Sequence, residues 1–262
     1  MRVLRIILLL LIVALLSVPT TVIAAGQSAE QSEGQVEEQA LEVLTRSTNY
    51  LANLKQFHVS AEFGFDVLQK SGQMIEFGAH QEITVQRPNH FRVDFTNRDG
   101  EFGSVIYDGE EVILSNPEDA VYAKAPFKGE VDDALGFISK ELQRPIPLQD
   151  FFASNLGALL MAKIESGLYV EESTVGGVLC DHVAMRNDNV DFQLWVAQGD
   201  KPLPRRIIIT YKNEEERPQF RAQFLKWELS PKIAKENFSF IVPEKTVRIP
   251  FAELDVLEGG QP

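Results

Sequence analysis

Cys180 and His182 are the residues whose types and spacing come nearest to reactive chemistry. Residues two apart on a strand point to the same face, so the thiol and the imidazole would be neighbours there. A thiolate nucleophile or a zinc site would fit such a pair, but zinc needs further ligands, and His58, His80 and His90 follow none of the usual metal spacings. We predict a small buried thiol beside a hydrogen-bonded histidine, with no catalytic residue, no metal and no cofactor. A hydrolase that uses the pair stays as the weakest hypothesis.

Two adjacent arginines form the second candidate site. Arg205 and Arg206 follow a turn made of Pro202, Leu203 and Pro204 in an otherwise acidic chain. Arginines placed in this way bind the phosphate of a lipid head group or the carboxylates of a partner protein. The alternative is that they form ion pairs with acidic residues of the same sheet surface.

Net charge and missing motifs limit the classes of function. The formal net charge is −13, which repels nucleic acid and anionic membrane surfaces, so we expect no nucleic-acid partner and at most a transient membrane contact. The simpler interpretation of this acidity is that it keeps an exported protein soluble. No serine elbow, phosphate-binding loop, dinucleotide glycine fingerprint or zinc-helix motif occurs. We therefore predict that the protein is not an enzyme.

Alternating apolar and polar residues predict the strands that position these groups. The pattern is clear in residues 57–67, 75–85, 90–95 and 190–197, where one face is apolar. Turn residues such as Asp108-Gly109 and Gly176-Gly177 separate the strands. If the apolar faces enclose a cavity, its predicted lining is Phe57, Phe63, Phe65, Phe77, Phe91, Phe95, Phe192, Leu194, Ile207 and Ile209. The alternative is that these residues pack as an ordinary core.

Three segments have helical periodicity. Apolar residues recur at steps of three and four in residues 36–54 and in residues 132–142. Residues 148–164 predict a third helical segment, interrupted at Gly157, that is too apolar for a solvated surface. We expect it to be buried or to cover the cavity as a lid hinged at Gly157, with its contacts made by Phe151, Phe152, Leu156, Leu160 and Met161.

The first residues have the organisation of an export signal. Arg2 and Arg5 precede an apolar run at residues 6–16, and small residues follow at 22–25. We predict a cleavable signal peptide at residues 1–25, a flexible lead-in at 26–35, one domain at 36–251 and a frayed tail at 252–262. Because Cys180 is the single cysteine, an internal disulfide is excluded and the domain depends on packing for its stability.

The order of these elements predicts an α+β fold. We count about ten strands in two meanders, with helices at the start and in the middle. The expected architecture is a large, curved antiparallel sheet with helices on one face.

Several segments together resemble a family of predicted periplasmic proteins that is a domain of unknown function. They are the helix that ends at residues 50–54, Arg87-Pro88 before Phe91-Arg92, Tyr107-Asp108-Gly109, Cys180-Asp181-His182 and the stretch from Gly199 to Arg206. The family is similar in fold to the bacterial lipoprotein carriers LolA and LolB. The resemblance implies an unclosed half-barrel with helices over its concave face, which in those carriers holds acyl chains.

Two functions follow as the main hypotheses. The first is a periplasmic carrier that holds an acyl chain, a lipid or a lipoprotein anchor in the hollow of the sheet, so its partner is a hydrophobic ligand or a lipidated protein. Each methylene moved into an apolar groove contributes about 0.8 kcal/mol, which makes such binding feasible. The second is an interaction or sensing module with a filled core that binds an envelope protein.

Overall fold

The structure is a computed structural model that describes residues 34–144, 146–162 and 164–253. The predicted signal peptide, residues 26–33 of the lead-in and residues 254–262 of the tail lie outside the described residues. Gln35, which belongs to the lead-in, accepts a hydrogen bond at its carbonyl oxygen from the Gly167 amide at 3.2 Å.

Three α-helices and twelve strands make up the described chain. The helices are α1 (Glu38–Asn53), α2 (Val131–Lys140) and α3 (Leu156–Met161). The strands of the first half are β1 (Gln56–Leu68), β2 (Met74–Gln86), β3 (His90–Asn97), β4 (Phe102–Tyr107), β5 (Glu111–Asn116) and β6 (Val121–Pro126). Those of the second half are β7 (Ser166–Val175), β8 (Val178–Arg186), β9 (Val190–Ala197), β10 (Pro204–Tyr211), β11 (Gln219–Glu228) and β12 (Val247–Arg248). Short 3₁₀ turns lie at Gln149–Phe151, Lys235–Phe238 and Phe251–Glu253.

All twelve strands belong to one sheet with the order β12-β6-β5-β4-β3-β2-β1-β11-β10-β9-β8-β7. Each meander pairs its strands in sequence, and the two are joined where β1 pairs antiparallel with β11. The predicted α+β class and antiparallel sheet are confirmed. The count exceeds the predicted ten partly because Val247–Arg248 adds a short strand, and this strand runs parallel to β6.

The sheet curves around the helices. Strands lie about 4.8 Å apart, so twelve strands laid flat would span roughly 50 Å, about twice the length of a helix the size of α1. Yet Ala123 on β6 and Val183 on β8 belong to one apolar cluster together with Leu44 of α1. We call the face that carries this cluster the inner face and the opposite one the outer face. Because β12 and β7 form two separate edges, the sheet is an unclosed half-barrel.

The segment at residues 148–164 differs from the prediction of one helical stretch interrupted at Gly157. It forms a 3₁₀ turn at Gln149–Phe151 and the short helix α3, with the break at Ser154. The Asp132 carboxylate accepts hydrogen bonds from the backbone amide of Ser154 at 3.0 and 3.1 Å and from its hydroxyl, which holds this residue outside a helix. Gly157 lies inside α3, where an added Cβ would stand 2.8 Å from Thr48 Oγ1. This glycine therefore permits close packing on α1.

The chain after β11 crosses the outer face. Phe238 packs there with Ile106 and Ile113 in a second small apolar cluster. The Phe238 ring lies 5.0 Å from the His90 ring, and Phe240 lies 5.3 Å from Tyr122. The C-terminal segment thus covers part of the first meander before β12 pairs with β6.

Candidate functional site

The ten residues of the predicted cavity lining all lie on the inner face, but they differ in exposure. Phe57, Phe91, Phe95, Phe192, Leu194 and Ile207 are at most 4% exposed and belong to the core. Phe63 is 7% exposed, and Phe65, Phe77 and Ile209 are half-buried. The sheet therefore brings the ten residues to one surface, with the deep members enclosed and the others at its open part.

The buried Phe63 and the half-buried side chains around it form an apolar cluster, which we call the aromatic cluster and define as Phe63, Phe65, Phe77, Phe220 and Ile209. Phe65 stands opposite both Phe77 on β2 and Phe220 on β11, and Phe220 stands opposite Ile209 on β10. Ring centroids lie 5.7 Å apart for Phe63 and Phe220 and 6.3 Å apart for Phe65 and Phe77. The position of the aromatic cluster follows from the length of the β1–β2 hairpin. Alternation along both strands keeps aromatic side chains on the inner face as far as Phe65 and Phe77, near the turn of the hairpin. The result is an apolar surface that is continuous with the core and open to solvent.

Of the predicted lid residues, Phe151 lies in the 3₁₀ turn, Phe152 follows it directly, and Leu156, Leu160 and Met161 lie on α3. Phe151, Phe152 and Leu156 are at most 5% exposed, while Leu160 and Met161 are half-buried. Phe151 meets the Phe224 ring of β11 at 5.0 Å, and the Thr45 hydroxyl donates to Met161 Sδ at 3.7 Å. The cover is therefore packed on both the sheet and α1.

A polar network ties α1 to the inner face at β8. Asp181, whose side chain is 9% exposed, forms an ion pair with Arg46 of α1. The same carboxylate accepts hydrogen bonds from the Tyr169 hydroxyl at 3.0 Å and from the Gln198 amide at 2.8 Å. Burial and the hydrogen bond to Asp181 raise the pKa of Tyr169 to about 12. A charge on this face is thus neutralised within the protein.

Cys180 and His182 share the outer face, as their spacing predicts. Burial raises the pKa of the Cys180 thiol, and Sγ lies 3.3 Å from the Val178 carbonyl oxygen. His182 Nε2 lies 3.1 Å from Gln193 Oε1, and its ring stacks on Trp195 with a centroid distance of 4.0 Å. Because the thiol is kept protonated and each hydrogen bond leads away from the other side chain, this arrangement does not activate a nucleophile.

We expect a fall in pH from about 7 to about 5 to destabilise the wild type more than a His182→Phe variant. Burial lowers the pKa of His182 in the folded protein, so the unfolded chain, with a pKa near 6.5, binds the proton more readily. The stability that depends on a neutral His182 is therefore fully present above the pKa of the unfolded chain and is lost as the pH falls below it. Phenylalanine keeps a ring beside Trp195 but cannot titrate. Urea midpoints at both pH values measure the effect, and equal losses in the two proteins would contradict it.

Arg205 and Arg206 do not lie in equivalent positions. The Arg206 guanidinium lies 5.6 Å from the centre of the Trp195 ring, which completes a stack of His182, Trp195 and Arg206 on the outer face. Arg205 donates to the Leu225 carbonyl oxygen at 3.2 Å. Among the described residues neither arginine has an acidic partner. The alternative that these arginines form ion pairs with acidic residues of the same sheet surface is therefore not observed there.

A polar groove lies on the outer face between the first meander and the C-terminal segment. It has a volume of ≈ 590 Å³ and includes His58, Arg92 and Lys232 in its lining. Beside it, Glu82 accepts from His58 at 2.9 Å and from His80 at 2.8 Å. In the described ranges no group of three or more His, Cys, Asp or Glu side chains has a geometry that suits a metal ion.

A family model decides the relationship of the chain. It describes a predicted periplasmic protein, DUF2092, and it matches residues 40–252. The chain belongs to the DUF2092 family. The match spans both meanders and the helices between them, so the resemblance expected from the sequence is confirmed.

Solved structures resemble this DUF2092 member in fold only. An uncharacterised conserved protein of Thermus thermophilus shares 9% identity and a TM-score of 0.47, with 81% of this chain and 99% of that chain covered. The LolA-superfamily protein NE2245 of Nitrosomonas europaea shares 10% identity and a TM-score of 0.38, with 77% of this chain and 97% of that chain covered. The Pseudomonas aeruginosa MucA/MucB complex shares 15% identity and a TM-score of 0.43, with 77% of this chain and 61% of that chain covered. A search of curated proteins found no match.

Phe220 and Gln81 lie on the inner face of this DUF2092 member but were not among the predicted site residues. Gln81 lies on β2 between Ala79 and Ile83, is 0% exposed, and has no hydrogen-bond partner for either amide atom among the described residues. The signal for Gln81 was a polar residue at a position where the alternation of this strand requires an apolar one.

In the described part of the chain, no helix is both long and apolar enough to cross a membrane.

Proposed function

We propose that this protein is a periplasmic, non-catalytic binding protein that carries a hydrophobic ligand, such as an acyl chain, a lipid or a lipoprotein anchor, on the inner face of its sheet. The observation that supports this function is the aromatic cluster, which extends the apolar core to the solvent. Contiguous apolar surface that remains open on a folded protein marks a site of interaction. Export by the signal peptide predicted at residues 1–25 agrees with the family description of a predicted periplasmic protein.

The proposed site starts at the aromatic cluster and leads towards the deeper members of the predicted lining. Loading then requires Phe151, Phe152, Leu156, Leu160 and Met161 to move away from the sheet as a lid. The ligand gains about 0.8 kcal/mol for each methylene that leaves water, which offsets the cost of this opening and of association. Arg205 and Arg206 lie on the outer face, so we assign them to contact with a partner and not to the ligand.

Native mass spectrometry tests the proposal on protein purified from periplasm without detergent, followed by lipid extraction. We expect a bound mass that is lost on denaturation. Phe65→Glu and Phe77→Glu are expected to lower its occupancy at least roughly tenfold, because each places a charge on the apolar surface. Phe102→Glu is the matched control, since Phe102 is 38% exposed and lies on the outer face of β4. Equal occupancy in all three variants would refute the site.

The enclosed part of the lining favours a second candidate function. Phe57 and Phe91 are 0% exposed, so no water-sized void touches them. A filled core would leave the aromatic cluster as a docking surface for an apolar segment of an envelope protein. A clean mass without ligand, together with a partner captured by wild type and lost in Phe65→Glu, would replace the carrier function by this one.

A further inference from the structure

Gln81 is a fully buried amide at the centre of the inner face. It stands opposite Ala61 on β1 and opposite Phe95 on β3, and both of these residues belong to the apolar core. The side chain has 0% exposure, and neither Nε2 nor Oε1 has a hydrogen-bond partner within the described ranges. An amide left in this state is costly, and buried polar groups in folded proteins are almost always satisfied. A partner that the chain itself does not supply would remove this cost.

Of the four inner-face positions next to Gln81, two hold alanine and the other two hold Phe95 and Ile83. Ala61 lies across from Gln81, Ala79 lies two positions along the same strand, and Gly103 faces Phe95 one strand further. The amide is enclosed in the closed protein, so a ligand reaches it only when the lid has moved, and the small side chains of Ala61 and Ala79 then leave space beside it. Phe77, Ala79 and Gln81 occupy successive inward positions of β2, so Gln81 lies about 13 Å along the strand from Phe77 and about 7 Å from the level of Phe63, which stands opposite Ala79.

The chemistry of an amide selects its partner. A glutamine side chain both donates and accepts, so it satisfies a neutral carbonyl or hydroxyl. A carboxylate buried against a single neutral amide would stay uncompensated. We infer that Gln81 is a ligand-binding residue that hydrogen-bonds a neutral ester, amide or hydroxyl group placed within the hydrocarbon part of the carried molecule. This inference rests on the proposed function and names the class of ligand: an acyl ester or amide rather than a plain hydrocarbon or a free fatty acid anion.

Two probes of matched chain length test the inference. Hexyl hexanoate carries one ester in the middle of the chain, and n-tridecane carries none. The measurement is the displacement by each compound of the fluorescent dye N-phenyl-1-naphthylamine from wild type, from Gln81→Met and from Gln223→Met. Methionine keeps the length of glutamine and removes the amide, and Gln223 is the control because it lies on the outer face of β11 opposite Arg206. Gln81→Leu repeats the measurement if the methionine variant does not fold.

We expect wild type and Gln223→Met to prefer the ester, and Gln81→Met to lower this ester-to-hydrocarbon preference roughly fivefold, which is the scale of one neutral hydrogen bond. The urea midpoint of ligand-free Gln81→Met should rise above that of wild type, because the variant buries no unpaired amide. If both probes bind and the preference is the same in wild type and Gln81→Met, the inference fails while the carrier function stands. If neither probe binds wild type, the carrier function fails and the inference with it.

Discussion

Phe224→Ala is expected to lower the free energy of unfolding by about 4 kcal/mol, the usual cost of removing an enclosed phenylalanine ring. Phe224 is 0% exposed. Its ring lies 5.0 Å from Phe151 of the cover and 5.5 Å from Trp227, which in turn meets Phe57 at 5.6 Å. One ring therefore links β11, β1 and the segment proposed as the lid.

Urea denaturation followed by tryptophan fluorescence measures this loss, and Leu225→Ala is the neighbouring control. Leu225 is 39% exposed on the outer face, so its removal should cost about 0.5 kcal/mol or less. A loss below about 1.5 kcal/mol for Phe224→Ala would show that the cover repacks over the gap. In that case Phe151 would not be held on the sheet by this contact.

Asp181→Asn is expected to cost about 2 kcal/mol, because it removes the buried charge that pairs with Arg46 and keeps the shape of the side chain. The figure lies below the range for a fully buried pair because the Arg46 side chain is 39% exposed. The same change should lower the pKa of Tyr169 from about 12 towards its ordinary value, since its hydrogen bond to a carboxylate is lost while its burial remains. The structural reason for both effects is that α1 is tied to β8 through this one carboxylate.

Asp191→Asn provides the matched comparison. Asp191 pairs with Arg186, Lys212 and Arg217 on the outer face, and its side chain is 25% exposed. Ion pairs near the surface contribute little, so we expect a loss of about 1 kcal/mol or less. Urea denaturation and an ultraviolet titration of tyrosinate give both readouts. Equal destabilisation by the two variants, or an unchanged titration of Tyr169 in Asp181→Asn, would contradict the role given to Asp181.

Local patterns predicted the elements well where the period was long. The alternation in residues 57–67 and 75–85 gave both strands of the longest hairpin, within two residues of β1 and β2. Together with the alternation in β3, β9 and β10, it placed all ten lining residues on the same face. The break at Ser154 was not predictable, because it depends on Asp132, which is far along the chain and holds Ser154 by hydrogen bonds.

The candidate site was predicted only in part for the same reason. Alternation identifies an inward side chain, but it cannot distinguish the enclosed Phe57 from the half-buried Phe65, which lies on the same strand. Gln81 interrupts the apolar alternation of its strand but was not predicted as a site residue, and its lack of a partner among the described residues required the positions of all neighbouring groups. The polar groove on the outer face had no sequence signal, because the C-terminal segment that forms one wall is distant from β1 to β3 in the chain.

The sequence by itself determined the class of the long helices and strands, the face to which residues of the regularly alternating strands point, and the absence of an internal disulfide. These properties depend on periodicity and composition, which are local. Only the tertiary structure decided that β1 pairs with β11, that Asp181 is neutralised by Arg46, and that the aromatic cluster stays open while Gln81 is enclosed. These features arise from contacts between segments far apart in the chain, and their energies depend on which groups burial brings together.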